Sequence, residues 1–287
     1  MKRLSAAPVS GSKGYTLGTL CVQVIVLLAS LFYMAPLYII VNYAFKTKKE
    51  LYLGNPLALA EGFNLENFIR AFERLDLSTT FFNTALYTAA AVLILVAICG
   101  PAAWAIARNK GKFYKFAYIY FIIGILIPAQ ALFLPIYIVG YSARLVNTRI
   151  GVILMFVATN ISFGIFLLTS FIGTVPAELE EAARIDGCST YRTYFTIVLP
   201  LLKPAIATLV IMQSFQIWND YLMSSLFVSK NQLKPMTVAI QSLFSQQTSD
   251  YSTAFAAIVI SVLPIVLLFI FLQKYFVKGL TVGAVKG

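Results

Sequence analysis

Long stretches without charge constrain this chain more than any other feature. No Asp, Glu, Lys or Arg interrupts the sequence between Lys13 and Lys46, Asp76 and Arg108, Lys115 and Arg144, Arg149 and Glu178, or Asp250 and Lys274. A sixth stretch, from Lys203 to Lys230, holds a single charge, Asp220. Roughly 20 apolar residues in a helix cross a bilayer core, because a helix satisfies its own backbone hydrogen bonds where no water can. The windows predict spans near Leu20 to Phe45, Asn83 to Ala107, Phe116 to Val139, Gly151 to Ile172, Ala205 to Phe227 and Ala254 to Phe276. The expected fold class is an all-α polytopic membrane protein with six transmembrane helices. Composition agrees, with 60% hydrophobic residues, 11% charged and a mean hydropathy of +0.83. An ordinary soluble domain carries about 25% charged residues.

Lys and Arg placement sets the orientation, since cytoplasmic loops retain positive charge. With the N-terminus inside, the inner side collects Lys2, Arg3, Lys13, Arg108, Lys110, Lys112, Lys115, Arg184, Arg192, Lys203, Lys274, Lys278 and Lys286, most of the 22 Lys and Arg. Both termini are then cytoplasmic, in a multi-pass membrane protein. The first span follows basic residues as a secretory signal does, but its apolar run is too long for a signal core and is expected to remain as a membrane helix. The formal charge of +11 lies at helix ends and short inner loops, which fits a surface of membrane lipid and excludes nucleic acid as a partner. Cys21, Cys99 and Cys188 suggest no disulfide framework. The chain has no His, no Cys cluster and no G-x-x-x-x-G-K-[ST] loop, so metal chemistry and nucleotide hydrolysis are not expected within it.

The outer loop 46–82 carries a helix-like pattern of Phe63, Leu65, Phe68, Ile69, Phe72 and Leu75, expected to lie against the outer face of the bundle. Ser242 to Ser252 reads as a second outer loop. Pro36, Pro101, Pro128, Pro135 and Pro264 fall inside the spans. Such prolines either kink helices for packing or bend them around a path for solute.

Between the fourth and fifth spans lies a polar island, EAARIDGCSTYRTYFTIVLP, from Glu181 to Pro200. Pro176 suits the first position of a helix, and Glu178, Glu180 and Glu181 complement its positive end. Leu179, Ala182 and Ala183 share one face, and Gly187 ends the helix with positive φ. Ser189 is placed to cap a second helix on which Tyr191, Tyr194, Phe195, Val198 and Leu199 recur at helical spacing. An amphipathic hairpin of this kind can lie on lipid headgroups. The acidic first helix and the small Ala182 and Ala183 instead favour docking with another protein.

The pattern Glu181-Ala182-Ala183, three residues, Gly187, nine residues, Ile197, one residue, Leu199-Pro200 resembles the EAA loop of membrane permease subunits of bacterial ABC importers. The phrase WNDYL at Trp218 to Leu222, the stretch ILIPAQALFLPIY and the ending KGLTVGAVKG resemble the carbohydrate-uptake branch, in particular its maltose-type smaller subunit. Cys188 stands where that family more often has Ala. The resemblance implies a type I importer permease fold with a cytoplasmic segment 1–19, a six-helix permease domain 20–278 including a coupling loop 174–203, and a tail 279–287. It also implies a second homologous permease subunit, two ATPase subunits that bind ATP and Mg, and an extracytoplasmic solute-binding protein. This chain itself would bind no cofactor and catalyse no reaction. Glu181, Ala182, Ala183, Asp186, Gly187, Tyr194, Ile197, Leu199 and Pro200 would couple to an ATPase, with Lys286 and its neighbours Gly283, Ala284, Val285 and Gly287 in the tail as further contacts.

For solute contact the sequence offers the polar groups inside the spans, which usually face a bundle interior or cavity. Gln213, Gln216, Trp218, Asn219, Asp220 and Tyr221 make the fifth span polar, and Gln130 and Asn160 add amides in the third and fourth. Aromatic platforms with amide and carboxylate groups suit sugars, oligosaccharides first, with monosaccharides, polyols and glycerol phosphates behind. At helical spacing these residues cannot all share one face, so some must pack against neighbouring helices. The alternative is an ion-coupled secondary transporter of a small polar solute. It requires an ionisable relay, and only Asp220 is available.

Overall fold

A computed structural model describes residues 17–244 and 250–284; Lys286 lies outside them. Its elements are α1 (Leu17–Phe45), α2 (Lys48–Leu53), α3 (Glu66–Arg74), α4 (Leu77–Arg108), α5 (Lys112–Leu126), α6 (Ala129–Ser142), α7 (Arg149–Ile172), α8 (Glu178–Ile185), α9 (Thr190–Thr193), a π-helical turn (Tyr194–Val198), α10 (Leu199–Leu201), α11 (Lys203–Trp218), α12 (Leu222–Phe227), a 3-10 turn (Asn231–Leu233), α13 (Met236–Phe244) and α14 (Tyr251–Ala284). Among the described residues there is no strand.

Four helices, α1, α4, α7 and α14, are long and apolar enough to cross a membrane alone. Two further spans exist only as bent pairs: α5 with α6, turned by 107°, and the α9–α10 segment with α11, turned by 70°. The chain therefore has six crossings if each bent pair counts as one. The expected third span, with its two prolines, turns a corner at Ile127 and Pro128. Proline biases the preceding residue toward extended backbone, and Ile127 has φ −77° and ψ 121°. Pro135 sits inside α6 without ending it. The expected fifth span also breaks, at residues 219–221 between α11 and α12. There the Asn219 side chain donates to the Phe215 carbonyl at 2.8 Å, and Asp220 Oδ1 accepts from the Ser224 N–H and hydroxyl at 2.8 and 2.9 Å. Such local side-chain bonds compete with helix continuation and begin a new helix instead.

The central pair is α4 and α7, joined by buried Tyr87, Leu95, Cys99, Val152, Ile165 and Leu168. They approach closely where Cys99 Sγ faces Gly164, and a Cβ on Gly164 would come within 2.6 Å of that sulfur. A second cluster, with Ala254, Ala256 and Ala257 of α14 fully buried, unites α14, α13 and the outer end of α1 with α3.

At that outer end the face of α3 differs from the expected one. Asn67, Ala71 and Leu75 are buried, while Phe63, Leu65, Ile69 and Phe72 are exposed. Asn67 decides the orientation: its amide donates to the Ala44 and Lys46 carbonyls at 2.8 and 2.9 Å, satisfying groups that a helix end leaves without partners. Lys46, at the start of the expected outer loop, is buried, with its ammonium on the Asn55 carbonyl at 2.9 Å. Ser242 lies in α13 and Ser252 in α14, so both ends of the expected second outer loop are helical; 245–249 lie outside the described residues.

Candidate functional site

The island between α7 and α11 folds as a helical hairpin. Helix α8 begins at Glu178, two residues beyond Pro176, with its acidic residues in the first turn. Its end is a Schellman motif: Cys188 N donates to the Ala183 carbonyl at 2.9 Å and Gly187 N to that of Arg184 at 3.0 Å. Gly187 has φ +81°, and a Cβ there would meet no atom within 4 Å. Glycine is needed for the backbone angle, therefore, and not for space. Ser189 caps α9 by accepting from Arg192 N at 3.3 Å, as its position suggested.

The hairpin has two faces of different character. Glu181, Ala182, Ile185, Asp186, Gly187, Tyr191, Phe195 and Pro200 are exposed, Ile185 at 86% and Tyr191 at 81%. Ile197 and Leu199 are half-buried. Ala183, Tyr194 and Val198 are buried, the last two in the core of the bundle. The expected apolar stripe on the second helix thus divides. Tyr194 packs on Trp104 with ring centroids 5.4 Å apart, its hydroxyl against Gly100, while Tyr191 and Phe195 point away. Tyr194 consequently holds the hairpin to the bundle and leaves the open face to its neighbours.

A residue outside the expected set completes the attachment. Glu180, only 3% exposed, accepts from Trp104 Nε1 at 2.8 Å through Oε2 and from Arg108 Nε at 2.8 Å through Oε1. Arg108 Nη2 also donates to the Val175 carbonyl at 2.9 Å. Both carboxylate oxygens have partners, as a buried charge requires.

The second feature is a cavity of about 630 Å³ formed where the two broken segments meet α7. The bend before α6 contributes Gln130, α7 contributes Asn160, and the end of α11 with the following break contributes Gln216, Asn219, Asp220 and Tyr221. Phe133, Phe156 and Phe163 supply aromatic walls, and neither Lys nor Arg lines it. Gln213 and Trp218 are not part of it. Gln213 is 1% exposed, with its side-chain oxygen unpartnered. Trp218 turns the other way, donating from Nε1 to the Ser261 carbonyl of α14 at 2.9 Å.

A fold of this kind has known counterparts. A bacterial ABC transporter structure, involved in the import of the acidic polysaccharide alginate, superposes with a TM-score of 0.81 over 92% of this chain and 100% of that chain, at 20% identity. The model of the family described as binding-protein-dependent transport system inner membrane component matches residues 100–282. This chain belongs to that family. The permease resembles, at 36% identity, a probable starch degradation products transport system permease of Thermoanaerobacterium thermosulfurigenes, over 90% of this chain and 93% of that protein. It is also 36% identical to the melibiose/raffinose/stachyose import permease of Bacillus subtilis (strain 168), over 94% of this chain and 98% of that protein.

Sequence reasoning about this permease missed Glu180, Trp104, Gly100 and the three cavity phenylalanines. Trp104 and Arg108, four residues apart on one helix face, were the available signal for the attachment. Arg108 was read only as an inner-loop charge.

Proposed function

We infer that this permease is one of two homologous membrane subunits of an ATP-driven importer for neutral oligosaccharide, with N- and C-termini on the cytoplasmic side. Two ATPase subunits bind ATP and Mg and hydrolyse ATP, and an extracytoplasmic binding protein delivers the solute. The observation that carries the reading is the hairpin's open face. It sets the acidic Glu181 and Asp186 beside the small Ala182 and the exposed Ile185, Tyr191 and Phe195. Aromatic and aliphatic anchors ringed by charge suit a protein partner. The ATPase receives this face, and its closure moves the hairpin.

The cavity at the bent helices is this subunit's half of the path. Amides of Gln130, Gln216 and Asn219, the Asp220 carboxylate and the phenylalanine walls suit hydroxyls and apolar sugar faces. With a carboxylate and no cation in the lining, neutral saccharides are favoured over acidic ones. Relatives named for starch degradation products, for melibiose, raffinose and stachyose, and for arabinooligosaccharides support the same solute class. Asp220 also caps α12 through Ser224, which accounts for a lone intramembrane charge without an ion relay.

The test is uptake into proteoliposomes containing the complete transporter and its binding protein. Uptake should need ATP and survive collapse of ion gradients. Glu181→Lys should release the ATPase on purification while the membrane subunits remain folded. Uptake that follows an ion gradient without ATP, or an ATPase still bound and active with Glu181→Lys, would overturn the reading.

A further inference from the structure

We propose that Glu180 is a positioning residue that fastens the hairpin rigidly to α4, so that hairpin movement is delivered along α4 to the outer face of the permease. The proposal rests on the reading of the hairpin as the ATPase docking element. Covalently the hairpin continues only into α7 and α11, and both links bend: residues 173–177 are non-helical, and the path into α11 turns by 70°. A bent link passes an axial displacement on less directly than a straight helix does. The attachment to α4 is of another kind. Glu180 is gripped through both oxygens by Trp104 and Arg108, Arg108 also reaches Val175, and Tyr194 packs on Trp104 with its hydroxyl at Gly100. Both arms of the hairpin thus meet one short stretch of α4.

From there α4 runs unbroken for 32 residues, about 48 Å at 1.5 Å per residue. Its outer end is also fastened. Asn83 donates to the Gln232 and Lys234 carbonyls at 2.9 and 3.2 Å, Tyr87 donates to Leu233 at 2.9 Å, and Thr84 Oγ1 accepts from Met236 N at 2.9 Å. The segment it holds follows α12 directly, beyond the helix break at the cavity. Thus α4 joins the docking hairpin to the segment that follows α12, and Glu180 is the fastening at its inner end. Helix α4 packs along α7, so the same displacement reaches Asn160.

The complete transporter in proteoliposomes tests this with two readouts. Spin labels at Glu178→Cys and Lys110→Cys, both exposed positions, report the hairpin-to-α4 distance after Cys21 and Cys188 are replaced. In the otherwise unmodified protein that distance should stay the same between nucleotide-free and nucleotide-trapped states. In Glu180→Gln it should change with nucleotide, and solute moved per ATP hydrolysed should fall about five-fold or more, the lower end of a typical coupling energy. The ATPase should stay bound, since Glu180 faces away from the open surface. Trp104→Phe, which keeps the Arg108 pair, should show a smaller loss of the same kind and decides the matter if Glu180→Gln fails to assemble. A nucleotide-dependent distance in the unmodified protein, or an unchanged ratio in the variants, would sink the rigid fastening alone. Absence of ATP-dependent uptake in the unmodified protein would sink the docking reading and the fastening with it.

Discussion

The two ends of α4 are fastened by different chemistry. At the inner end the hairpin is held by a buried ion pair, Arg108 with Glu180, reinforced by an indole N–H and a packed tyrosine. At the outer end the segment after α12 is held by neutral hydrogen bonds, donated by Asn83 and Tyr87 to its carbonyls and accepted by Thr84 from the Met236 N–H. A buried charge pair tolerates little separation, because each half-open state strands a charge in a medium that solvates it poorly. A neutral amide leaving a carbonyl strands a dipole, which costs far less. The inner junction is therefore the costlier of the two to open.

The most severe break of that contrast is Arg108→Met, which preserves bulk and leaves Glu180 buried with Trp104 alone. A loss of about 3–5 kcal/mol is expected, read as a large drop in the thermal unfolding midpoint of the detergent-purified permease. At the outer end Asn83→Ala should cost about 1–3 kcal/mol, even though Asn83 is fully buried and bonds two carbonyls. If the outer variant proves as damaging as the inner one, the two junctions do not differ as their chemistry suggests. A third variant probes the hairpin itself. Gly187→Ala forces a side chain into a backbone with φ +81° but creates no clash, so about 1–2 kcal/mol should be lost. Gly187→Asn should lose less, because Asn tolerates that conformation. Equal losses would mean that crowding, not backbone angle, selects glycine there.

The same division between local and distant interactions explains what the sequence reveals. The charge-free windows, the Gly187 turn and the Ser189 cap are legible because each depends on neighbours within a few residues. Pro128 and the pair Asn219 and Asp220 are equally local, yet treating each span as one helix hid both breaks. Helical spacing already required some polar residues of the fifth span to pack against neighbouring helices, and Gln213 and Trp218 lie outside the cavity. With a helix ending at Trp218, Gln216 and residues 219–221 turn to the cavity while Trp218 packs on α14. Glu180 was invisible for a different reason: its partner Trp104 lies 76 residues away, and no local pattern announces which of three acidic residues on a short helix will be buried. The exposed face of α3 was misjudged because Asn67, a polar residue, sets its orientation through the end of α1.

One outer contact does use charge, and it gives the smallest expected effect. Asp250 bonds Arg74 at 2.9 Å and lies 3.4 Å from Lys48. Burial alone would raise its carboxyl, but hydrogen bonding from Thr253 and the nearby Lys48 ammonium outweigh burial and hold it below the ordinary carboxylate range. A carboxyl lowered by folding stabilises the protein fully above the unfolded value, about 3.9, and loses that contribution as pH falls through the folded value. The unfolding midpoint should therefore decline on acidification below about pH 4, and Asp250→Asn should flatten part of that decline. Because the Arg74 and Lys48 side chains are half-exposed, solvent screening limits the contribution to about 1 kcal/mol or less. An Asp250→Asn variant that matched the loss from Arg108→Met at neutral pH would show that a contact to two half-exposed cations anchors as firmly as the Arg108–Glu180 pair, and the ranking of the two by burial would fail.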